Sequence, residues 1–111
     1  MREMTSWEKE WRGRCGEAWE ISEEHGFHDG YEIGTKLCLM HSELSEALEA
    51  LRHGNPPSEK IPEFTHVEEE IADLLIRVMD EAATQKWDIA GAIDAKMAYN
   101  KGRPFKHGKK F

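Results

Sequence analysis

Between residues 31 and 53 the apolar side chains Ile33, Leu37, Met40, Leu44, Ala47, Leu48 and Leu51 recur every three or four positions. At about 100° per residue they share one face of an α-helix. Residues 63–86 repeat the pattern with Val67, Ile71, Leu74, Leu75, Val78 and Ala82. No stretch alternates with the period of two that a half-buried strand requires. Two long amphipathic helices joined by the proline-containing segment 54–62 therefore restrict the chain to an all-α fold.

Two further helices complete it. Residues 6–25 carry the stripe Trp7, Trp11, Cys15, Ala18 and Ile21, with Thr5 or Ser6 as cap and Gly26 as stop. Residues 88–101 begin at Asp88, an N-cap residue, and end where Gly102, Arg103 and Pro104 break the helix. The expectation is one domain, 1–111, built as a four-helix bundle with a basic tail at 102–111. Ala72, Ile76 and Met79 give the third helix a second apolar side, so a homodimer or homotetramer formed through helix faces is expected. No apolar run is long enough to span a membrane. The N-terminal residues lack the apolar core of a secretory signal. Cys15 and Cys38 read as small buried hydrophobes in a reducing compartment, which points to a cytoplasmic protein. A net charge of −7 argues against a nucleic-acid or anionic-membrane surface. It leaves room for a phosphate-bearing small molecule if cations mediate the contact.

Three glutamates in "SELSEALEA", Glu43, Glu46 and Glu49, sit three residues apart. Like charges at that spacing repel. Angular position divides them: Glu49 falls with Ser42, Ser45 and Arg52 on a wet face, whereas Glu43 and Glu46 share a stripe with Leu39 and Ala50. On the third helix Glu70 borders the apolar stripe and Asp73 follows one turn later. Glu69 with Asp73 is an alternative pair, set second because Glu69 points further from the core. Two such pairs on facing helices bring four carboxylates together, which requires cations or protons to neutralise them. All-oxygen ligands select hard ions such as Mg²⁺ or Mn²⁺. The bland alternative is a set of solvated acids in an acidic chain. On the fourth helix Ile89, Ile93, Lys96 and Asn100 share a stripe, with Arg103 just off it. Lysine, asparagine and arginine are donors suited to phosphate oxygens, although Lys96 can equally pair with an acid or reach water.

Taken in order, "HSELSEALEALR", "EEEIADLLIRV" and "KMAYNKGRPFKHGK" resemble the MazG-like, all-α nucleotide pyrophosphohydrolases over residues 31–108. The family pattern E-x-x-E, a variable gap, then E-x-x-D reads here as Glu43 and Glu46, 23 intervening residues, and Glu70 and Asp73. The resemblance implies an enzyme that converts a nucleoside triphosphate, ribo or deoxyribo, to the monophosphate and pyrophosphate in nucleotide-pool house-cleaning. Carried over by position, it places Mg²⁺ on Glu43, Glu46, Glu70 and Asp73, and the triphosphate on Lys96, Asn100 and Arg103, with Lys101 beside them.

For the base, Trp19 lies off the first helix's apolar stripe and either packs or stacks on a ring. His25, Phe27 and His28 are alternatives, and Lys36 and His41 lie near the acidic stripe. Competing readings are a phosphoribosyl-ATP pyrophosphohydrolase or dUTPase-type enzyme of the same superfamily, and a non-catalytic helical interaction module. A ferritin-like di-iron site, suggested by Glu63-x-x-His66, wants two such motifs within long helices; the chain has one, at a helix start.

Overall fold

The computed structural model describes residues 3–30 and 32–108, with the side chains of residues 107 and 108 outside that description. Four helices account for most of it: α1, Ser6–Glu24; α2, Ile33–Arg52; α3, His66–Gln85; and α4, Ile89–Lys101. A short 3₁₀ turn, Phe105–Gly108, follows. Among the described residues there is no strand, only an isolated bridge between Pro57 and Thr65. Among the described residues no helix is long and apolar enough to cross a membrane. The expected all-α, four-helix architecture is what the chain adopts. Tyr31, where the second helix was expected to begin, lies outside the described residues, as do Lys109, Lys110 and Phe111 of the basic tail.

Caps fix the helix starts. Thr5 accepts from the Glu8 backbone and Glu8 answers the Thr5 backbone, a reciprocal box that leaves Glu8 1% exposed. Thr65 and Glu68 repeat the arrangement, so α3 begins at His66 rather than at the expected residue 63. Asp88 Oδ1 accepts the Gly91 N–H at 3.0 Å, capping α4 as its sequence position indicated. Gly26, at φ +75°, carries the chain out of α1.

α3 is the central helix. It packs along α2 on one side and α1 on the other, while α4 rests chiefly against α1. The buried apolar residues are small: Cys15, Ala18, Ala47, Ala50, Ala82 and Ala90. Small side chains let helix backbones approach closely, and here the larger apolar groups point elsewhere. Leu37, Leu44, Leu48 and Leu51 are 44–56% exposed, as are Leu75 and Ile76 at 45% and 49%. The leucines of the expected α2 face therefore lie outside this chain's own core, whereas the expected α3 stripe is partly inward, with Val67, Leu74 and Val78 half-buried and Ala82 buried. α2 turns Glu43, Ala47 and Ala50 inward instead. Cys38 is exposed, against the expectation that both cysteines are buried. The Cα radius of gyration is 16.7 Å, well above the about 13 Å expected for a compact chain of this length.

The segment after α1 is clasped to α3 by His28. Its Nδ1 faces Glu23 and its Nε2 lies 2.8 Å from Asp80 Oδ1. Both nitrogens meet carboxylates, an arrangement that favours the doubly protonated imidazolium. Burial lowers its pKa, but the hydrogen bonds to Glu23 and Asp80 outweigh that and hold it above 6.5. A pKa raised on folding adds stability that is complete below the unfolded value and disappears as pH rises through the folded one. Replacing His28 with Phe should therefore flatten stability against pH above 6.5, read as urea midpoints across pH 5–9. Thr65→Ala should cost about 1 kcal/mol, read in the same unfolding experiment at fixed pH.

Candidate metal and anion site

α2 and α3 are joined by a loop that sets their register. Asn55 Oδ1 accepts the Val67 N–H at 2.9 Å, and the His66 N–H reaches Pro56 O at 2.8 Å. Ser58, 2% exposed, is the hub. Its Oγ accepts from the Lys60 and Ile61 backbone and donates to Glu69 Oε1 at 2.6 Å. These bonds lock the first turn of α3 and so aim the acids that follow.

Between α2 and α3, walled in part by α1, lies a groove of about 1080 Å³. Glu43, Glu46, Glu70 and Asp73, the four acids singled out by spacing, all line it. Glu43, Glu70 and Asp73 each bring an oxygen within 4.8 Å of the others. Glu43 is 7% exposed and Glu70 6%, whereas Glu46 is exposed on the groove's rim and Glu49 lies on the outer surface. Glu70 rather than Glu69 reaches the centre, because Glu69 is taken by Ser58. Glu69 nonetheless lines the groove and forms a second grouping with His66 and Glu70.

The electrostatics are strained. Burial, with the carboxylates of Glu46 and Glu43 beside it, pushes Glu70 up to about 7, against a lowering by His66, whose Nε2 lies 3.0 Å from Glu70 Oε1. Asp73 is raised by burial and by Glu43 and Glu69, with Lys60 and Arg77 opposing. Arg77 Nε donates to Glu43 Oε1 at 3.1 Å. Glu43 Oε2 and Glu70 Oε2 remain buried and accept no hydrogen bond. Buried carboxylate oxygens without donors are costly. Three converging oxygen ligands with two such orphans fit a hard divalent cation in number and chemistry.

The expected anion-binding residues lie elsewhere. Lys96, Asn100, Lys101 and Arg103 do not line the groove. Along the expected stripe Ile89, Ile93 and Asn100 are half-buried, but Lys96 is exposed, with its ammonium 4.7 Å from the Tyr99 ring, and Arg103 lies over the same ring at 5.5 Å. The reason is that α4 packs mainly through its start, where Ala90 is fully buried and Arg12 meets Asp88. Asn100 is half-buried, and its Oδ1 accepts no hydrogen bond. Trp19 does not line the groove either; its ring packs against His28, centroids 5.0 Å apart. Phe27 does line it, and His41 is exposed. Glu63 stays in the loop before α3, so Glu63 and His66 form no helical pair.

Arg77, Lys60 and Glu81 are site neighbours that spacing did not single out, and His66, noted only as half of Glu63-x-x-His66, joins the site through Glu70 instead. Arg77 was readable in principle, one turn beyond Asp73 on the same helix side. Lys60 was not, because a loop delivers it.

Glu70 binds its proton more tightly folded than unfolded. Its contribution is therefore complete below about pH 4.5, the ordinary value, and lost as pH rises to about 7. In chelator, the stability difference between Glu70→Gln and the parent should grow in favour of the variant across that window, measured by thermal melts. Comparison with protein-family models, with curated proteins and with solved structures finds no match to this chain.

Proposed function

We propose that the chain is a Mg²⁺-dependent nucleotide pyrophosphohydrolase, converting a nucleoside triphosphate to its monophosphate and pyrophosphate, with Mn²⁺ as a substitute ion. The observation that carries the reading is the convergence of Glu43, Glu70 and Asp73 within 4.8 Å around two buried, undonated oxygens. Glu46 stands on the rim of the same groove. The ordered resemblance of 31–108 to the MazG-like family supplies the reaction class.

Glu43, Glu70, Asp73 and Glu46 would hold the ion. Bound there, it would offset phosphate charge and lower the pKa of an attacking water. Arg77 orients Glu43 through its 3.1 Å bond, and a carboxylate left free of the ion takes the water's proton. Lys96, Asn100, Lys101 and Arg103 are assigned to the triphosphate. They lie on or just after α4, outside the groove of their own chain, so a second copy is their natural route to it. The exposed leucines of α2 support such an assembly, because apolar patches of this kind mark association surfaces.

Those same leucines are the one observation that favours a non-catalytic helical interaction module, and the two readings part on the acids. Under the hydrolase reading, Glu43→Gln and Asp73→Asn abolish Mg²⁺ binding and lower pyrophosphate release at least about 100-fold, the upper cost of losing a mere outer-shell partner. Glu49, exposed and paired with its surface neighbours Arg52 and His53, is the control: Glu49→Gln should change little. A panel of nucleotides that includes phosphoribosyl-ATP and dUTP assigns the substrate. Unaltered hydrolysis by Glu43→Gln and Asp73→Asn would remove the metal assignment. For the assembly, sedimentation should show a dimer or tetramer that Leu48→Glu shifts toward monomer.

A further inference from the structure

The far end of the groove holds a buried ion pair that the metal chemistry does not use. Glu81, 2% exposed, and Lys36, with its side chain 15% exposed, both line the groove. Lys36 lies seven residues before Glu43 on α2, about 10 Å along the helix axis. Glu81 lies eight residues beyond Asp73 on α3, a similar distance.

The pair is incompletely satisfied. Gln85 Nε2 donates to Glu81 Oε2 at 3.0 Å. Lys36 Nζ is 3.3 Å from Oε1 but off the direction of a hydrogen bond, so Oε1 accepts none. A carboxylate taken this far out of water with an unused oxygen is expensive, and a donor from a ligand would offset that cost. The nearby walls are apolar, with Met40, Met79 and Phe27. Apolar walls with a few convergent polar groups suit a flat heterocycle.

We propose that Lys36 and Glu81 read the hydrogen-bonding edge of the substrate's base, and that this base carries a guanine-type edge. The proposal rests on the hydrolase reading of the same groove. The separation of the pair from the acid cluster matches the reach of a nucleoside from its α-phosphate to its base edge. A carboxylate offers two adjacent acceptors and an ammonium offers donors. Guanine presents the complement, two adjacent N–H donors beside a carbonyl acceptor. Cytosine and adenine offer one such amine beside a ring acceptor, which would face carboxylate lone pairs. Uracil and thymine offer one N–H flanked by two carbonyls. The flexible stem of Lys36 lets its ammonium move to the carbonyl while the base donors take the carboxylate.

The test is kcat/KM for pyrophosphate release from dGTP, dITP, dATP, dCTP and dUTP with Mg²⁺, on the parent and on Glu81→Gln. dITP differs from dGTP only in lacking the exocyclic amine. A site built to receive that amine should favour dGTP over dITP by at least about tenfold. In Glu81→Gln, Gln85 holds the amide oxygen and turns an NH₂ toward the base, so the dGTP-to-dITP ratio should fall to one or below. A pair that merely stabilises the fold would lower the melting temperature and slow every nucleotide alike, leaving the ratio unchanged. Equal use of dGTP and dITP by the parent, or an unchanged ratio in the variant, overturns this assignment alone. Release from none of the nucleotides overturns the hydrolase reading and this one with it.

Discussion

The seam between α2 and α3 is held against its own charge. Glu43 and Glu70 face one another at 7% and 6% exposure, with Asp73 and Glu46 at the same groove. Acids so placed repel, and burial removes the water that would screen them. The rest of the seam answers this repulsion. Arg77 takes one oxygen of Glu43 and His66 one of Glu70. Ser58 holds Glu69 away from the centre, and its loop fixes the start of α3. Small alanines at positions 47, 50 and 82 let the helices close despite the charge. The proton that Glu70 retains up to about pH 7 is the remaining neutralising element.

A second consequence concerns the leucines. A helix has one circumference, and α2 gives its inward arc to Glu43, Ala47 and Ala50. Leu37, Leu44, Leu48 and Leu51 are then turned outward. Burying acids in the seam thus places the bulk of the apolar area on the outside of the single chain. The expanded radius of gyration expresses the same arrangement, with the helices spread rather than closed over their large side chains. Were those faces covered, each square ångström removed from water would contribute about 25 cal/mol.

Helix existence, the caps of α1 and α4 and the inward turn of Glu43 depend on local spacing and were legible, whereas the Thr65 cap of α3 and the exposure of Glu46 were not. Thr5 and Asp88 cap as their positions indicated, and the angular separation of Glu43 from Glu49 matches a buried and an exposed residue. Which face of α2 becomes the inside was not legible. A periodic row of leucines signals burial somewhere, and periodicity is blind to whether the cover comes from the same chain. The fate of α4 was hidden for a related reason. Lys96 and Asn100 continue the stripe of Ile89 and Ile93, yet Asn100 stays half-buried while Lys96 is exposed. Long-range partners delivered by loops, such as Lys60 near Asp73 and His28 on Asp80, leave no periodic trace at all.

Charge balance in the groove sets what can enter it. Its lining carries eight acids, Glu17, Glu43, Glu46, Glu69, Glu70, Asp73, Asp80 and Glu81, against four cations, Arg14, Lys36, Lys60 and Arg77. Three of the cations are already engaged: Arg14 by Glu10 and Glu17, Lys36 by Glu81, and Arg77 by Glu43. A bare polyphosphate would meet a net negative wall, and in a partly buried site that repulsion is weakly screened. Under the proposed function the anion therefore enters only with divalent cations, and the acid end must be filled before the phosphates are tolerated. The donors of α4 lie outside the groove of their own chain and so do not offset its charge. Under the proposed function, Lys96, Lys101 and Arg103 brought to the groove of a second copy would supply the positive charge that its lining lacks, so that assembly would serve charge neutrality as well as apolar burial.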